Sequence, residues 1–343
     1  MGLFGNKDIT GIDIGAGGIK IARIAWGRKG PKLLSATLID ISPDPDKADG
    51  VSANLKYLAS QKKPVIRKRV VALFPGQDVT IRSLTLPKMP AAELGEAVRW
   101  EAKRHISYPL DAALVEYLVT GERHEGAVDK FDILLVAAER SKVVEHLAPF
   151  RVAGIAVSAV DANALALRNV LRLREDTGNE NQLVVDMGAG KTEINIFKGG
   201  VLRFCRCVQS GGLDMTRALA DRMGVELEKA EAIKQRIDVL SPAEDDEAVA
   251  AVKTGLDSLF VEIRRSVEYY KTTFREKKVS RAILTGGVAL TAGIKEYFSL
   301  SFDGEVELDQ PFDGLTGDTG AFEELEPHAL RFAAAVGLAL RKA

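Results

Sequence analysis

The sequence predicts an α/β chain of two duplicated lobes, with a small α/β unit inserted in the first. Three observations carry that prediction. Two stretches are near copies, Gly11-Ile12-Asp13-Ile14-Gly15-Ala16-Gly17-Gly18-Ile19-Lys20-Ile21 and Val184-Val185-Asp186-Met187-Gly188-Ala189-Gly190-Lys191-Thr192-Glu193-Ile194. Aligned on their aspartates they share Asp, Gly, Ala and Gly, and then Ile21 with Ile194, without a gap. In each copy an apolar strand runs into the aspartate, glycines turn the chain, and an alternating strand leaves. Between the copies the texture changes at Arg69 to short apolar strands and helical patterns, which marks a separate α/β unit. The expected limits are 1–74 with 152–172 for the first lobe, 75–151 for the insert and 173–343 for the second lobe. A closing helix at 327–341 is expected to pack back towards the first lobe.

The elements follow in order. Strands Ile19 to Trp26 and Leu33 to Ile41 extend the first hairpin into a three-stranded antiparallel start. After the breaker Ser42-Pro43-Asp44-Pro45-Asp46, a helix runs from Val51 to Lys62 with Val51, Leu55 and Leu58 on one face. Val70 to Phe74 is a continuous apolar strand stopped by Pro75-Gly76, and Val79 to Leu86 is another. Ala91 to His105 is a helix with Leu94, Val98 and Ala102 inward, followed by strands Ala113 to Val119 and Lys130 to Ala138 around a polar turn, Gly121 to Asp129. Ser141 is the expected N-cap of a helix over Lys142 to Val152, whose apolar stripe is Val144, Leu147 and Ala148. Gly154 to Val160 is a strand, and Asp161 to Leu171 the helix that connects the lobes.

The second half repeats the plan with strands Leu183 to Asp186, Thr192 to Phe197 and Val201 to Val208. Gly211-Gly212 opens a helix to Met223, and Leu227 to Arg236 is a helix carrying Glu231 and Lys234 at i, i+3. A long helix, about Val249 to Phe274, follows the acidic Glu244-Asp245-Asp246-Glu247, whose charges complement its dipole. Strand Ala282 to Thr285 ends in Gly286-Gly287-Val288. It is followed by a helix over Thr291 to Phe298, a short strand Val306 to Leu308 and the closing helix from Pro327.

Composition bounds the function. The net charge of −1 over 343 residues argues against a nucleic-acid footprint. No apolar run reaches membrane-spanning length and the start has no signal-peptide core, so a cytoplasmic protein is expected, at a membrane only through partners. Met1-Gly2 is discounted as a lipidation start because position 6 is Asn. Cys205 and Cys207 share one face of a strand and are expected to pack, and the four scattered histidines lack metal-ligand spacing.

The hairpin tips carry the chemistry. A turn with Asp and glycines offers backbone N–H groups to phosphate and a carboxylate to a hydrated cation. Two such tips in register point to one nucleotide held from two sides, against the alternative of two ordinary β-hairpins. Thr285-Gly286-Gly287 lets backbone lie flat against a planar base, because glycine has no Cβ. Gly188-Ala189-Gly190-Lys191-Thr192 is not a P-loop, since position 185 is Val and a strand follows. Gly15-Ala16-Gly17 likewise lacks the third glycine and the helix of a dinucleotide fingerprint.

An Asp-Gly hairpin, a second one after a connecting helix, a late Thr-Gly-Gly and a closing Ala/Gly-rich helix resemble, over the whole chain, the actin-like ATPase superfamily, a duplicated ribonuclease H-like fold. An α/β insert ahead of the connecting helix is similar to the branch holding the cell-division protein FtsA and the type IV pilus assembly protein PilM. The start Leu3-Phe4-Gly5-Asn6-Lys7 and the stop at Arg341-Lys342-Ala343, with no membrane-binding helix, resemble the PilM family. That resemblance implies an ATP- and Mg2+-binding scaffold with at most slow hydrolysis, docking the cytoplasmic N-terminal peptide of the inner-membrane protein PilN beside the insert, at the inner membrane through that partner, with a nucleotide-dependent angle between the lobes that biases partner binding. It implies that Gly15, Ala16, Gly17, Gly18 and Lys20 form the first phosphate loop, and Gly188, Ala189, Gly190, Lys191 and Thr192 the second, with the Thr192 hydroxyl near the phosphates. Asp13 and Asp186 would order the metal's water shell, and Gly211 and Gly212 would add N–H groups. Glu231 and Lys234 would meet the ribose, and Gly286, Gly287 and Val288 the base. Asp161 stands where relatives polarise the attacking water, with an N-capping aspartate as the alternative. One departure is that many relatives carry serines where this chain has Ala16, Gly17 and Gly18. The competing expectations are a sugar or acid kinase of the same superfamily, for which no acceptor-side base is evident, and an FtsA-like polymerising membrane tether.

Overall fold

The structure, a computed structural model, describes residues 8–46, 50–61, 66, 69–125, 128–174, 178–242, 246–317 and 319–341. Leu3 to Lys7, Lys62, Glu244, Asp245, Lys342 and Ala343 therefore lie outside the described residues. In the first lobe, β1 (Asp8–Gly15), β2 (Gly18–Gly27) and β3 (Gly30–Asp40) form an antiparallel meander; α1 (Val51–Ser60) leads into β4 (Val70–Phe74), which pairs parallel to β1. Apolar residues at alternate positions put Ile12, Ile19 and Ile21 against Leu55 and Leu58 of α1, all nearly inaccessible.

The insert is a separate sheet in the order β5-β7-β6, from β5 (Val79–Pro87), α2 (Ala91–Ala102), β6 (Ala113–Glu125) and β7 (Val128–Glu139). Leu94, Val98 and Ala102 of α2 cover Ile133 and Leu135, as their spacing predicts. The expected polar turn Gly121 to Asp129 is mostly strand: β6 reaches Glu125 and β7 starts at Val128. From its other side the insert leans on the second half of the chain. Ile81 and Leu134 pack with Val184, Phe197 and Leu202, and the Ser83 hydroxyl donates to the Arg203 carbonyl at 3.1 Å.

Two expectations fail at α3 (Arg140–Val152). The helix begins at Arg140, so Ser141 is not its N-cap; its hydroxyl donates to Glu139 Oε1 at 2.7 Å. The inward face is His146, Leu147 and Phe150 rather than Val144, Leu147 and Ala148, and Val144 is half exposed. His146 turns inward because it meets Phe74 edge-on at 5.5 Å, beside the fully buried Phe150. The next strand, β8 (Val157–Ala162), starts later than expected and contains Asp161, so α4 (Asn163–Leu171) begins two residues beyond it.

The second lobe repeats the first. β9 (Asn181–Met187), β10 (Thr192–Lys198) and β11 (Val201–Val208) form its meander, followed by α5 (Gly212–Met223), α6 (Leu227–Lys234) and α7 (Glu247–Phe274). The two large sheets have the orders β3-β2-β1-β4-β8 and β11-β10-β9-β12-β13, completed by β12 (Arg281–Thr285) and β13 (Glu305–Leu308). Each is an antiparallel meander extended by parallel strands, so the duplication read from the hairpins extends to whole sheets. Gly293, at φ 75°, delays α8 (Ile294–Ser299) past the expected Thr291 start.

The chain then returns to the first lobe through α9 (Thr319–Leu325) and α10 (Ala333–Ala339). The closing helix is α-helical only from Ala333, and Glu326 to Phe332 winds as a 3₁₀ helix. Within that stretch the Leu330 carbonyl accepts from the Gly286 N–H at 2.9 Å and from the Thr285 hydroxyl at 3.0 Å, which ties it to the end of β12. Every residue of α10 is buried, against β1, β2, β4 and α4. Backbone approaches closely there, since a Cβ on Gly11 would lie 2.1 Å from the Ala335 carbonyl oxygen, and one on Gly337 2.0 Å from that of Ala166. No described helix is long and apolar enough to cross a membrane.

Candidate functional site

The two Asp-Gly tips meet. A Cβ on Gly17 would lie 2.8 Å from the Cβ of Ala189, and one on Gly190 would lie 3.1 Å from the Cβ of Ala16. Ala16 is aligned with Ala189, and Gly17 with Gly190, so the contact is reciprocal about a pseudo-two-fold axis between the lobes. The Ala16 and Ala189 methyl groups each rest on the other tip's glycine.

Beneath them lie the acids. In the first hairpin Asp13 and Lys20 are cross-strand partners, and Lys20 Nζ lies 2.6 Å from Asp13 Oδ2 and 3.2 Å from the Gly18 carbonyl. In the second hairpin the equivalent partners are Asp186 and Glu193, two carboxylates. Like charges facing each other across a ladder oppose ionisation. Burial, reinforced by Glu193, pushes the Asp186 carboxyl up to about 6, and burial also raises Glu193, against the opposing charge of Lys191. Lys191 Nζ lies 3.3 Å from Glu193 Oε1, and Asn163 Nδ2 donates to Asp186 Oδ2 at 2.7 Å. Asn163 Oδ1 and Glu193 Oε1 are buried without a hydrogen-bond partner. The unpartnered Asn163 Oδ1, with the Asp13 and Asp186 carboxylates, forms a ligand set that fits a hydrated divalent cation.

Several expected ligands point elsewhere. Asp161 accepts from Arg341 Nη1 at 3.3 Å and from the Ala162 N–H at 2.9 Å, and it is Asn163, at the first position of α4, that reaches Asp186. The Thr192 hydroxyl is fully buried and donates to the Ser210 carbonyl at 2.9 Å. The amides at the start of α5 are also committed. Gly212 N–H goes to the Gly188 carbonyl at 3.0 Å, Leu213 N–H to that of Ala189 at 2.7 Å, and Gly211 N–H to Asp214 Oδ2 at 3.0 Å. Gly211 has no side chain because Gly188 and Ala189 carbonyls occupy that space at 2.5 Å. The glycine pair thus braces the second tip rather than presenting free donors.

Glu231 and Lys234 are more than a surface pair. Lys234 Nζ donates to Glu231 Oε2 at 2.6 Å, Thr216 Oγ1 at 2.7 Å and the Gly212 carbonyl at 2.9 Å, tying α6 to the start of α5. Burial opposes ionisation of Glu231, but the Lys234 charge and these hydrogen bonds outweigh it and hold its pKa below the ordinary carboxylate value. Replacing Lys234 by Met is expected to destabilise the fold by about 2–3 kcal/mol, by leaving a partly buried carboxylate unpaired, as a lowered urea midpoint.

The Thr-Gly-Gly segment adjoins the same network. Gly286, at φ 88°, lies against Asp186 Oδ1 and the Met187 carbonyl, each 2.5 Å from where a Cβ would stand. Val288 Cγ2 lies 3.1 Å from the equivalent point on Gly212, next to Lys234 Nζ at 3.2 Å. Sequence reasoning missed Arg331. Its Nη2 donates to the Gly17 carbonyl at 2.9 Å and to Asp40 Oδ1 at 2.6 Å, and its Cγ lies within 4.0 Å of the Cβ direction of Gly287. It also missed Asn163 and Glu193; Glu193 could have been found as the residue aligned with Lys20. A separate cavity of about 570 Å³, lined by Arg174, Arg281, Lys295 and Glu307 among others, contains none of the expected site residues.

Comparison with known proteins follows this geometry. The family model for the type IV pilus assembly protein PilM matches residues 11–343. The chain belongs to that family. A chain of a solved PilM-PilN type IV pilus biogenesis complex is 26% identical, with a TM-score of 0.82 over 97% of this chain and 98% of that one. EutJ, an ethanolamine utilization protein from Carboxydothermus hydrogenoformans, shares the fold at 15% identity, with a TM-score of 0.58 over 99% of this chain and 91% of its own. FtsA of Neisseria meningitidis serogroup B is 26% identical over 186 residues, 48% of this chain, and FtsA of Helicobacter pylori 25% over 236 residues, 62% of this chain. Those matches span 44% and 47% of the two FtsA chains, less than half of either. The PilM family thus takes the expected two-lobed actin-like fold here, with an α/β insert between β4 and β8.

Proposed function

We propose that this PilM-family chain is an ATP-binding scaffold of type IV pilus assembly that docks the N-terminal cytoplasmic peptide of PilN. One observation carries the nucleotide part: two reciprocal Asp-Gly tips stand over Asp13, Asp186, Glu193 and Asn163, with Lys20 and Lys191 alongside. Asp13 and Asp186 would hold the water shell of Mg2+, and Lys20 and Lys191 would balance phosphate charge. The Gly286-Gly287 backbone, Val288 and the Lys234–Glu231 pair would meet the nucleoside, with Arg331 between them and the first tip. Bound ATP supplies the charge that these groups balance. The peptide part is supported by the likeness, over nearly the full length of both chains, to a chain of a solved PilM-PilN complex.

Titration of a fluorescent ATP analogue with Mg2+ against wild type and Asp186→Ala tests the nucleotide reading, and calorimetry with a synthetic PilN N-terminal peptide tests the other. Expected are a loss of affinity of at least about tenfold in Asp186→Ala, as for removal of a charged group from a buried site, and saturable peptide binding by wild type. Equal analogue affinity overturns the first assignment; no heat from the peptide overturns the second.

A further inference from the structure

The insert does not hang free of the candidate nucleotide site. It leaves the first lobe at the end of β4 through Pro75 and a single 3₁₀ turn, Gly76 to Asp78, and that turn lies on the second tip. A Cβ on Gly76 would stand 2.3 Å from Glu193 Oε1, 2.6 Å from its Cδ and 2.8 Å from Oε2, so the Glu193 carboxylate lies flat on the Gly76 backbone. The neighbouring Gln77 Oε1 accepts from Lys191 Nζ at 3.3 Å, and the same ammonium lies 3.3 Å from Glu193. Glu193 in turn faces Asp186 across the ladder, and Asp186 is held by Asn163. A short chain of contacts therefore runs from the acids of the site, through one lysine and one glutamate, to the root of the insert.

The rest of the insert is firmly set against the same lobe. Ile81 and Leu134 are buried with Val184, Phe197 and Leu202, and Ser83 is bonded to β11. A displacement of the second tip is therefore carried into the insert as a whole rather than absorbed at its edge.

We propose that Gly76 and Gln77 are positioning residues of the second tip, and that their contacts with Glu193 and Lys191 link occupancy of the nucleotide site to occupancy of the peptide site. This rests on the reading above, in which the chain binds both ligands. The physical reason is competition for Lys191. A nucleotide phosphate and the Gln77 amide oxygen both draw on the same ammonium, which also pairs with Glu193 against Gly76. A shift of that ammonium changes how the insert's root is held. Linkage is reciprocal, so the factor by which peptide changes nucleotide affinity equals the factor by which nucleotide changes peptide affinity.

The test measures both affinities, each with and without saturating amounts of the other ligand, using the fluorescent ATP analogue with Mg2+ and the synthetic PilN peptide. Wild type is expected to show a linkage factor of at least about fivefold, the same in both directions. Gln77 is exposed, so Gln77→Ala leaves the core intact. By freeing Lys191 it is expected to bind the ATP analogue alone more tightly than wild type does, while its linkage factor falls to about one. Gln77→Glu keeps an acceptor for Lys191 and is expected to restore the linkage, which a merely structural role would not require. Full linkage in Gln77→Ala, or none in a wild type that binds both ligands, overturns the relay. Failure of wild type to bind one of them overturns the underlying reading instead.

Discussion

Asp186→Asn is expected to make the protein more resistant to urea at pH 7.5 while abolishing its binding of the ATP analogue with Mg2+. The two effects share one cause. Asp186 is enclosed, its cross-strand partner is Glu193, and its pKa is raised from 3.8 to about 6. A carboxyl raised in this way binds protons more tightly folded than unfolded. Its contribution is fully present below its unfolded value of 3.8 and is lost as pH rises through about 6. Above that pH the ionised carboxylate weighs against the fold by at most about 3 kcal/mol. Asparagine keeps an oxygen to accept from Asn163 and removes the charge. The gain should therefore appear at pH 7.5 and vanish by about pH 4, where the aspartate is already protonated. Urea midpoints at the two pH values decide it. An Asp186→Asn protein less stable than wild type at pH 7.5 would sink the claim that this charge is held against its own preference.

Gly337→Val is expected to abolish the fold, at a cost of about 4 kcal/mol or more. The helix α10 reaches α4 backbone to backbone at this residue, and a Cβ there would stand 2.0 Å from the Ala166 oxygen and 2.4 Å from its carbonyl carbon. Neither is the movable end of a side chain, so relief requires shifting one helix off the other. That shift would also open the packing of Ala335 on Gly11 in β1, the strand that carries Asp13. A matched control is Gly50→Ala. Gly50 has nothing near its Cβ direction and a φ of −61°, so the change should leave the midpoint within about 0.5 kcal/mol of wild type. Soluble yield and urea denaturation of the two variants separate the outcomes, and a Gly337→Val protein as stable as the control would falsify the close-approach account.

The parts of the fold that sequence predicts well are those governed by local period. The hairpins, the inward faces of α1 and α2 and the repeated strand order follow from alternation and helical spacing. The inward face of α3 does not, because both of its possible faces carry apolar residues and the choice is made by Phe74, far away in sequence. Asn163 was overlooked because the connecting helix starts two residues later than Asp161 makes it look. The fate of the Gly211 and Gly212 amides is a long-range matter as well. Nothing near them in sequence indicates that the carbonyls of Gly188 and Ala189 would take up the first turn of α5. Glu193 is different, since its opposition to Asp186 was legible from the alignment of the two hairpins and needed only the cross-strand register to be drawn.

The contact between the tips sets what positions 17 and 190 can carry. A hydroxyl-bearing side chain at position 17 would need room that Ala189 fills, and one at position 190 would need room that Ala16 fills. Smallness at each tip is thus imposed by its counterpart, and neither hairpin is free to drift alone. Two halves that arose as copies have become each other's mould, so that a substitution accepted at one tip depends on what stands at the same place in the other.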